Sequence, residues 1–174
     1  MAESKYEKYI TRKPAIIVGP GPDGVVRFEV PKTDKIPLTS DKTTGPRLIF
    51  SNDVVKEATT KVEYGFIMKD ITLLNDKSKN YGAHKHDYAE IFLFTGNDPY
   101  DTNYLGGEGE FWLGEGEELE KAVFTTSSAV YVAPGVAHFP QIWKNVQRPV
   151  MTMVIMPTTG ERNLIPIPIK GRTK

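Results

Sequence analysis

The 174-residue chain contains only three histidines, and two of them stand one residue apart in YGAHKHDYAEIFLF, residues 81–94. They are His84 and His86, and Glu90 follows. Imidazole nitrogens and a carboxylate oxygen are ligands that Mn²⁺, Fe²⁺, Ni²⁺ and Zn²⁺ all accept. The third histidine, His138, follows the turn VAPGVA and opens another extended run, HFPQIW. Residues of equal parity share one face of a strand. On an unbroken strand His84, His86 and Glu90 would point the same way, with Tyr88, Phe92 and Phe94 beside them. A neighbouring strand would supply His138 as the fourth ligand. A lone His-x-His is commonly two surface histidines on a polar strand end. The phase of Glu90, the apolar continuation and the position of His138 weigh towards a metal site.

The elements that must hold these residues are strands. Short apolar runs such as VVRFEV, RLIF, AEIFLF, GEFWLG, AVYVA and PVMTMVIM are rich in Val, Ile, Phe and Tyr, and turn residues bound them. The chain has 15 glycines and 13 prolines, which leave few helical windows. The expected class is all-β, a sandwich or barrel, with at most one short helix. That helix would lie at SNDVVKEATT, 51–60, capped by Asn52 or Asp53. The expected organisation is a flexible N-terminus (1–13), an N-terminal extension whose strands pack on the barrel (14–61), a barrel core (62–157) and a C-terminal arm (158–174). The arm, NLIPIPIKGRTK, alternates Ile and Pro, and proline cannot donate to a central ladder. It reads as an edge strand or arm on its own domain, or as an arm reaching across a dimer partner.

Composition removes other classes. Lys plus Arg is 22 against 22 for Asp plus Glu, so a globally basic nucleic-acid binder is not expected. No cysteine is present, which excludes disulfides, thiolate metal sites and cysteine nucleophiles. MAESKYEKYITRKP shows no apolar secretory core, and no window approaches the ~20 apolar residues of a membrane-spanning helix. The expected location is cytoplasmic, without membrane contact.

Other histidine-pair sites fit less well. Metallo-β-lactamase-like hydrolases need Asp and His where Tyr88 and Ala89 stand. Amidohydrolase barrels need a longer chain. A three-histidine site like that of the α-carbonic anhydrases leaves Glu90 unexplained. Two motifs together resemble the cupins: HKHDYAEIFLFTG, with His84, His86, Glu90 and Gly96, and VAPGVAH, with Gly135 and His138. GGEGEFWLGEGEELEKAVFTT between them would be the hairpin that separates the motifs in that fold. The resemblance covers roughly residues 62–156, and its departures touch turns, not ligands. It implies a small β-barrel or jelly roll with one divalent transition metal (Mn, Fe, Ni or Zn) in its mouth or interior.

An octahedral ion with four protein ligands keeps two positions for substrate, where it can polarise a carbonyl, stabilise an enolate or activate water. Tyr88, Phe92 and Trp112 are candidates for an apolar substrate pocket, although Phe92 and Phe94 are more simply core. Glu108, Glu110 and Trp112 share a parity, yet six glutamates between 108 and 120 read better as a solvated hairpin. The expected function is a metal-dependent enzyme on a small oxygenated molecule: an isomerase, lyase, hydrolase or decarboxylase. The alternatives are an Fe-dependent dioxygenase and a non-catalytic small-molecule-binding module. A homodimer is expected from cupin habit and the IPIPI arm.

Overall fold

A computed structural model describes residues 5–17, 25–30, 40–74 and 82–167. Three short strands lead: β1 (Ala15–Ile17), β2 (Phe28–Glu29) and β3 (Arg47–Phe50). Next come β4 (Lys61–Ile67), β5 (Ile71–Leu73), β6 (His84–Lys85), β7 (Glu90–Thr95) and β8 (Tyr104–Leu113). The chain closes with β9 (Glu120–Thr126), β10 (Ser128–Val132), β11 (His138–Lys144), β12 (Val150–Met156) and β13 (Ile165–Pro166). Among the described residues the only helical elements are 3-10 turns at Glu7–Tyr9 and Gly116–Glu118. No helix there is long and apolar enough to cross a membrane.

The strands form two antiparallel sheets. One runs β10-β7-β12-β4-β3-β1-β2 and the other β13-β6-β11-β8-β9, with β5 beside β11. The N-terminal strands β3, β1 and β2 continue the first sheet outward from β4. Aromatic side chains fill the space between the sheets. Phe94 stacks on Phe124 at 4.9 Å and meets Trp143 edge-on at 5.5 Å, geometries that add about 0.5–1.5 kcal/mol per pair beyond area burial. Gly96 ends β7 because nothing larger fits: a Cβ there would lie 1.9 Å from the Tyr104 carbonyl oxygen.

Alternation is clean in β7, where Glu90, Phe92 and Phe94 are buried and Ile91, Leu93 and Thr95 are half-buried. In β4 it runs against the expected polarity. Lys61, Glu63, Gly65 and Ile67 point inward, and Val62, Tyr64 and Phe66 lie on the half-buried face. The inward charges have partners, which makes the inversion tolerable. Lys61 Nζ reaches Asn52 Oδ1 at 3.3 Å and Asp53 Oδ2 at 3.4 Å, and Glu63 meets Arg162.

The helix expected at 51–60 is absent. Residues 51–57 form successive turns led by Ser51, whose carbonyl accepts from Val54 and Val55 at 3.1 and 2.8 Å. Its hydroxyl takes the Asp53 N–H at 3.1 Å, so the capping residue is Ser51 and not Asn52 or Asp53. A capped turn without further i to i−4 bonds has no nucleus to extend. Of the Ile-Pro tail, Ile165–Pro166 form β13 on the edge of the six-stranded sheet, opposite β6, where Pro166 faces no second strand among the described residues. Residues 168–174 and 1–4 lie outside the described residues, as do parts of the extension.

Candidate metal centre

His84 and His138 face each other directly across β6 and β11, with ring centroids 4.4 Å apart. After Lys85 the chain leaves that sheet, bends through residues 86–89 and enters the opposite sheet at Glu90. The strand is therefore broken, and common parity is not what unites His84, His86 and Glu90. They converge because the bend carries the chain from one sheet to the other across the barrel interior. Gly135 fixes that bend. In the turn before His138 it adopts φ +79°, which favours glycine, and its N–H donates to the His86 carbonyl at 2.7 Å. The two histidine motifs are thereby joined by one backbone hydrogen bond.

Each imidazole is oriented in the same way. His84 Nδ1 meets the Gly82 carbonyl at 2.8 Å, His86 Nδ1 the Tyr88 carbonyl at 2.7 Å, and His138 Nδ1 the Val136 carbonyl at 3.1 Å. A carbonyl only accepts, so each Nδ1 carries a proton, and in a neutral ring the Nε2 then presents a lone pair. The ligand atoms of the three histidines lie within 4.8 Å of one another, a group that could hold one metal ion.

Glu90 joins them from β7. Its Oε2 stands 3.2 Å from His138 Nε2 and 3.4 Å from His86 Nε2. None of the four residues is more than 3% exposed, and the three Nε2 atoms and both Glu90 oxygens are buried without a hydrogen-bond partner. Lone pairs facing a carboxylate in a buried interior are unfavourable unless a cation or another polar partner lies between them. Burial drives the His84 pKa down to about 3, so the imidazolium form is disfavoured there. Burial works against ionised Glu90, but the imidazoles of His138 and His86 and the charge of Arg162 outweigh it and hold the carboxyl well below the usual range. Three imidazole nitrogens around an ionised carboxylate fit a divalent metal.

The remaining expected site residues separate. Tyr88 stacks on His86 at 3.9 Å with rings 3° from parallel, and burial pushes its phenol pKa up. Phe92 belongs to the core cluster, with its ring 6.0 Å from His138. Trp112 is not brought to the histidines. In β8 it alternates with buried Phe111, which packs inward, so Trp112 lies on the outer face with Lys121 Nζ 5.8 Å from its ring. Glu110 shares that face, with Lys144 at 2.5 Å and Lys121 at 3.7 Å. Glu110 is thus neither a solvated carboxylate nor a base at the barrel mouth, but a buried one paired with two lysines.

Three polar residues near the site carry no sequence signature. Arg162, after β12, is 2.5 Å from Glu63 Oε1 and 3.7 Å from Glu90 Oε1. Ninety-nine residues separate it from Glu63, so no local motif could reveal the pair. Gln141 is the third. The β11–β8 register shifts between His138 and Gln141, with Phe139 between them at φ +72°. In a regular strand residues three apart face opposite ways, but this irregularity buries both side chains. Glu63, Gln141 and Arg162 line a cavity of about 120 Å³ between the sheets, walled by Phe92, Phe139 and Ile67 among others. Phe139 also stacks on His84 at 5.4 Å, so cavity and histidines share a wall.

No family model matches the sequence, and no curated protein matches it. Solved structures do match in shape. An oxalate oxidase in complex with the substrate analogue glycolate superposes with a TM-score of 0.51 at 9% identity, over 75% of this chain. The match spans 58% of that protein. A cupin 2 domain-containing protein from Halorhodospira halophila gives 0.50 at 14% identity, over 83% of this chain and 79% of that one. Peruvianin-I, described as a cysteine peptidase from Thevetia peruviana latex, gives 0.52 at 6% identity, over 78% and 73%. The chain has a cupin fold. That fold does not fix the chemistry, since this cysteine-free chain cannot share a cysteine nucleophile.

Proposed function

We propose that the protein is a metal-dependent cupin-type enzyme acting on a small oxygenated organic molecule, with His84, His86, Glu90 and His138 as the metal ligands. One observation carries this reading: three Nε2 lone pairs and a carboxylate converge in a buried site where no protein group satisfies them. A divalent ion bound there would act as a Lewis acid on a substrate oxygen. The backbone carbonyls of Gly82, Tyr88 and Val136 hold the imidazoles in the tautomer that binds metal. Tyr88 fixes the His86 ring plane by stacking. Phe92 and Phe139 keep the adjoining cavity largely apolar, which strengthens electrostatic contacts inside it.

The test is conversion of a panel of small oxo-, hydroxy- and dicarboxylic acids and their esters by metal-loaded protein, followed by NMR. Running it in air and under nitrogen separates the Lewis-acid reading from a dioxygenase, which turns over only in air. Turnover under nitrogen, lost in His84→Ala, supports the proposal. A metal-loaded protein that binds panel members and converts none would make it a binding module.

A further inference from the structure

We infer that two copies of this chain pair face to face through the outer side of the seven-stranded sheet, about a two-fold axis.

The strand register defines that side. In one row Tyr64 of β4 lies beside Met153 of β12, which lies beside Leu93 of β7. In the next, Ile155 of β12 lies beside Ile91 of β7, and Ile91 beside Tyr131 of β10. The residues alternating with them, Glu63, Val154 and Phe92, line the cavity between the sheets. Both rows therefore point outward. No outward position on β4, β7, β10 or β12 carries a charge.

An antiparallel sheet with one face in water reads apolar inside and polar outside. Here β4 does the reverse, with Lys61 and Glu63 on the interior side and Val62, Tyr64 and Phe66 outside. Such a strand makes sense when its outer side is buried as well. The described residues form two sheets that face each other, and their only helical elements are 3-10 turns. Among them no third layer covers the outer rows.

Size and charge select the occupant. At ~4.8 Å between strands and ~3.4 Å per residue, these four strands outline about 400 Å². That is about two thirds of the ~600 Å² per partner at which specific interfaces begin. The rim supplies the rest, with Tyr131 at 64% exposure on β10, a side chain type enriched at interfaces. A patch without charges is its own complement, which is what a two-fold contact between identical surfaces requires. The chain's formal net charge is zero, so two copies approach without mutual repulsion. Strand β7 then carries Glu90 on its inner side and the pairing contact on its outer side.

The absence of cysteine makes the test clean, because one engineered thiol can meet only its own copy. Light scattering after size exclusion should give wild type twice the 19.5 kDa chain mass. Met153→Glu, with a charge in the middle of the patch, should keep its circular dichroism and dissociate at least ~10-fold more readily. Leu93→Cys, Met153→Cys and Ile155→Cys are then oxidised at dilute concentration, and at least one should form a covalent dimer. Val123→Cys, 52% exposed on the other sheet, should stay single under the same conditions. The cysteine variants decide the matter even where Met153→Glu does not fold. A wild type that is monomeric up to ~100 µM overturns the inference. So does a folded Met153→Glu that stays fully dimeric, or cross-linking at Val123 and at none of the three sheet positions.

Discussion

The Glu90 carboxylate faces two ways: Oε2 lies 3.2 Å from His138 Nε2, and Oε1 lies 3.7 Å from the Arg162 guanidinium. One oxygen is turned to the candidate metal position and the other to a buried cation that is itself held by Glu63. The histidine cluster is thus coupled to the far wall of the barrel through Glu90, Arg162 and Glu63.

That coupling is testable by stability. Arg162→Met leaves the Glu63 carboxylate buried and unpaired, and removing one partner of a buried pair costs about 3–5 kcal/mol. The double variant Glu63→Gln/Arg162→Met removes both charges and should lose less than the two single variants summed. Urea denaturation of the four proteins measures the coupling. Strict additivity would mean that the pair contributes nothing jointly.

Acid should destabilise the metal-free protein through His84. In the unfolded chain this imidazole titrates near 6.5, and in the fold its pKa is driven down to about 3. Between those values the unfolded chain binds a proton that the native site refuses. Stability therefore falls as pH drops from 6.5 towards 3, by up to about 1.4 kcal/mol per pH unit. Thermal denaturation of apo wild type and His84→Gln from pH 7 to pH 4 checks this. The variant should show the shallower slope, and equal slopes would contradict the assignment.

Packing and site can be separated. Phe94 sits between Phe124 and Trp143, away from the ligands, so Phe94→Ala should cost about 3–5 kcal/mol with metal stoichiometry retained in the folded protein. Trp112→Ala, on the outer face of β8, should change neither metal content nor ligand affinity. Loss of metal in Trp112→Ala would show that the outer face matters to the site.

The fold class was readable in the sequence because β-rich runs between glycines and prolines leave little else. The four residues around the candidate metal position were also readable, but for a reason the structure replaces. Equal parity assumes one strand, whereas His84 and Glu90 belong to different sheets joined by the bend that Gly135 pins. Residues whose placement depends on long-range pairing were not readable. Glu63 lies inward on a strand whose apolar residues look like the inward set, because a partner 99 residues away neutralises it. Gln141 turns inward only through a register shift, and nothing in HFPQIW specifies one. Trp112 was misplaced because parity within GEFWLG cannot say which set faces inward, and Phe111 takes the core.

The most direct test of the account is metal content by elemental analysis, with wild type and His138→Ala each reconstituted from the apo form and desalted. The account predicts about one equivalent of a divalent transition metal in wild type and almost none in the folded variant. It also predicts a metal-dependent rise in melting temperature confined to wild type, as binding to the native state requires. Equal metal in both proteins, or none in wild type after reconstitution, would contradict the central claim.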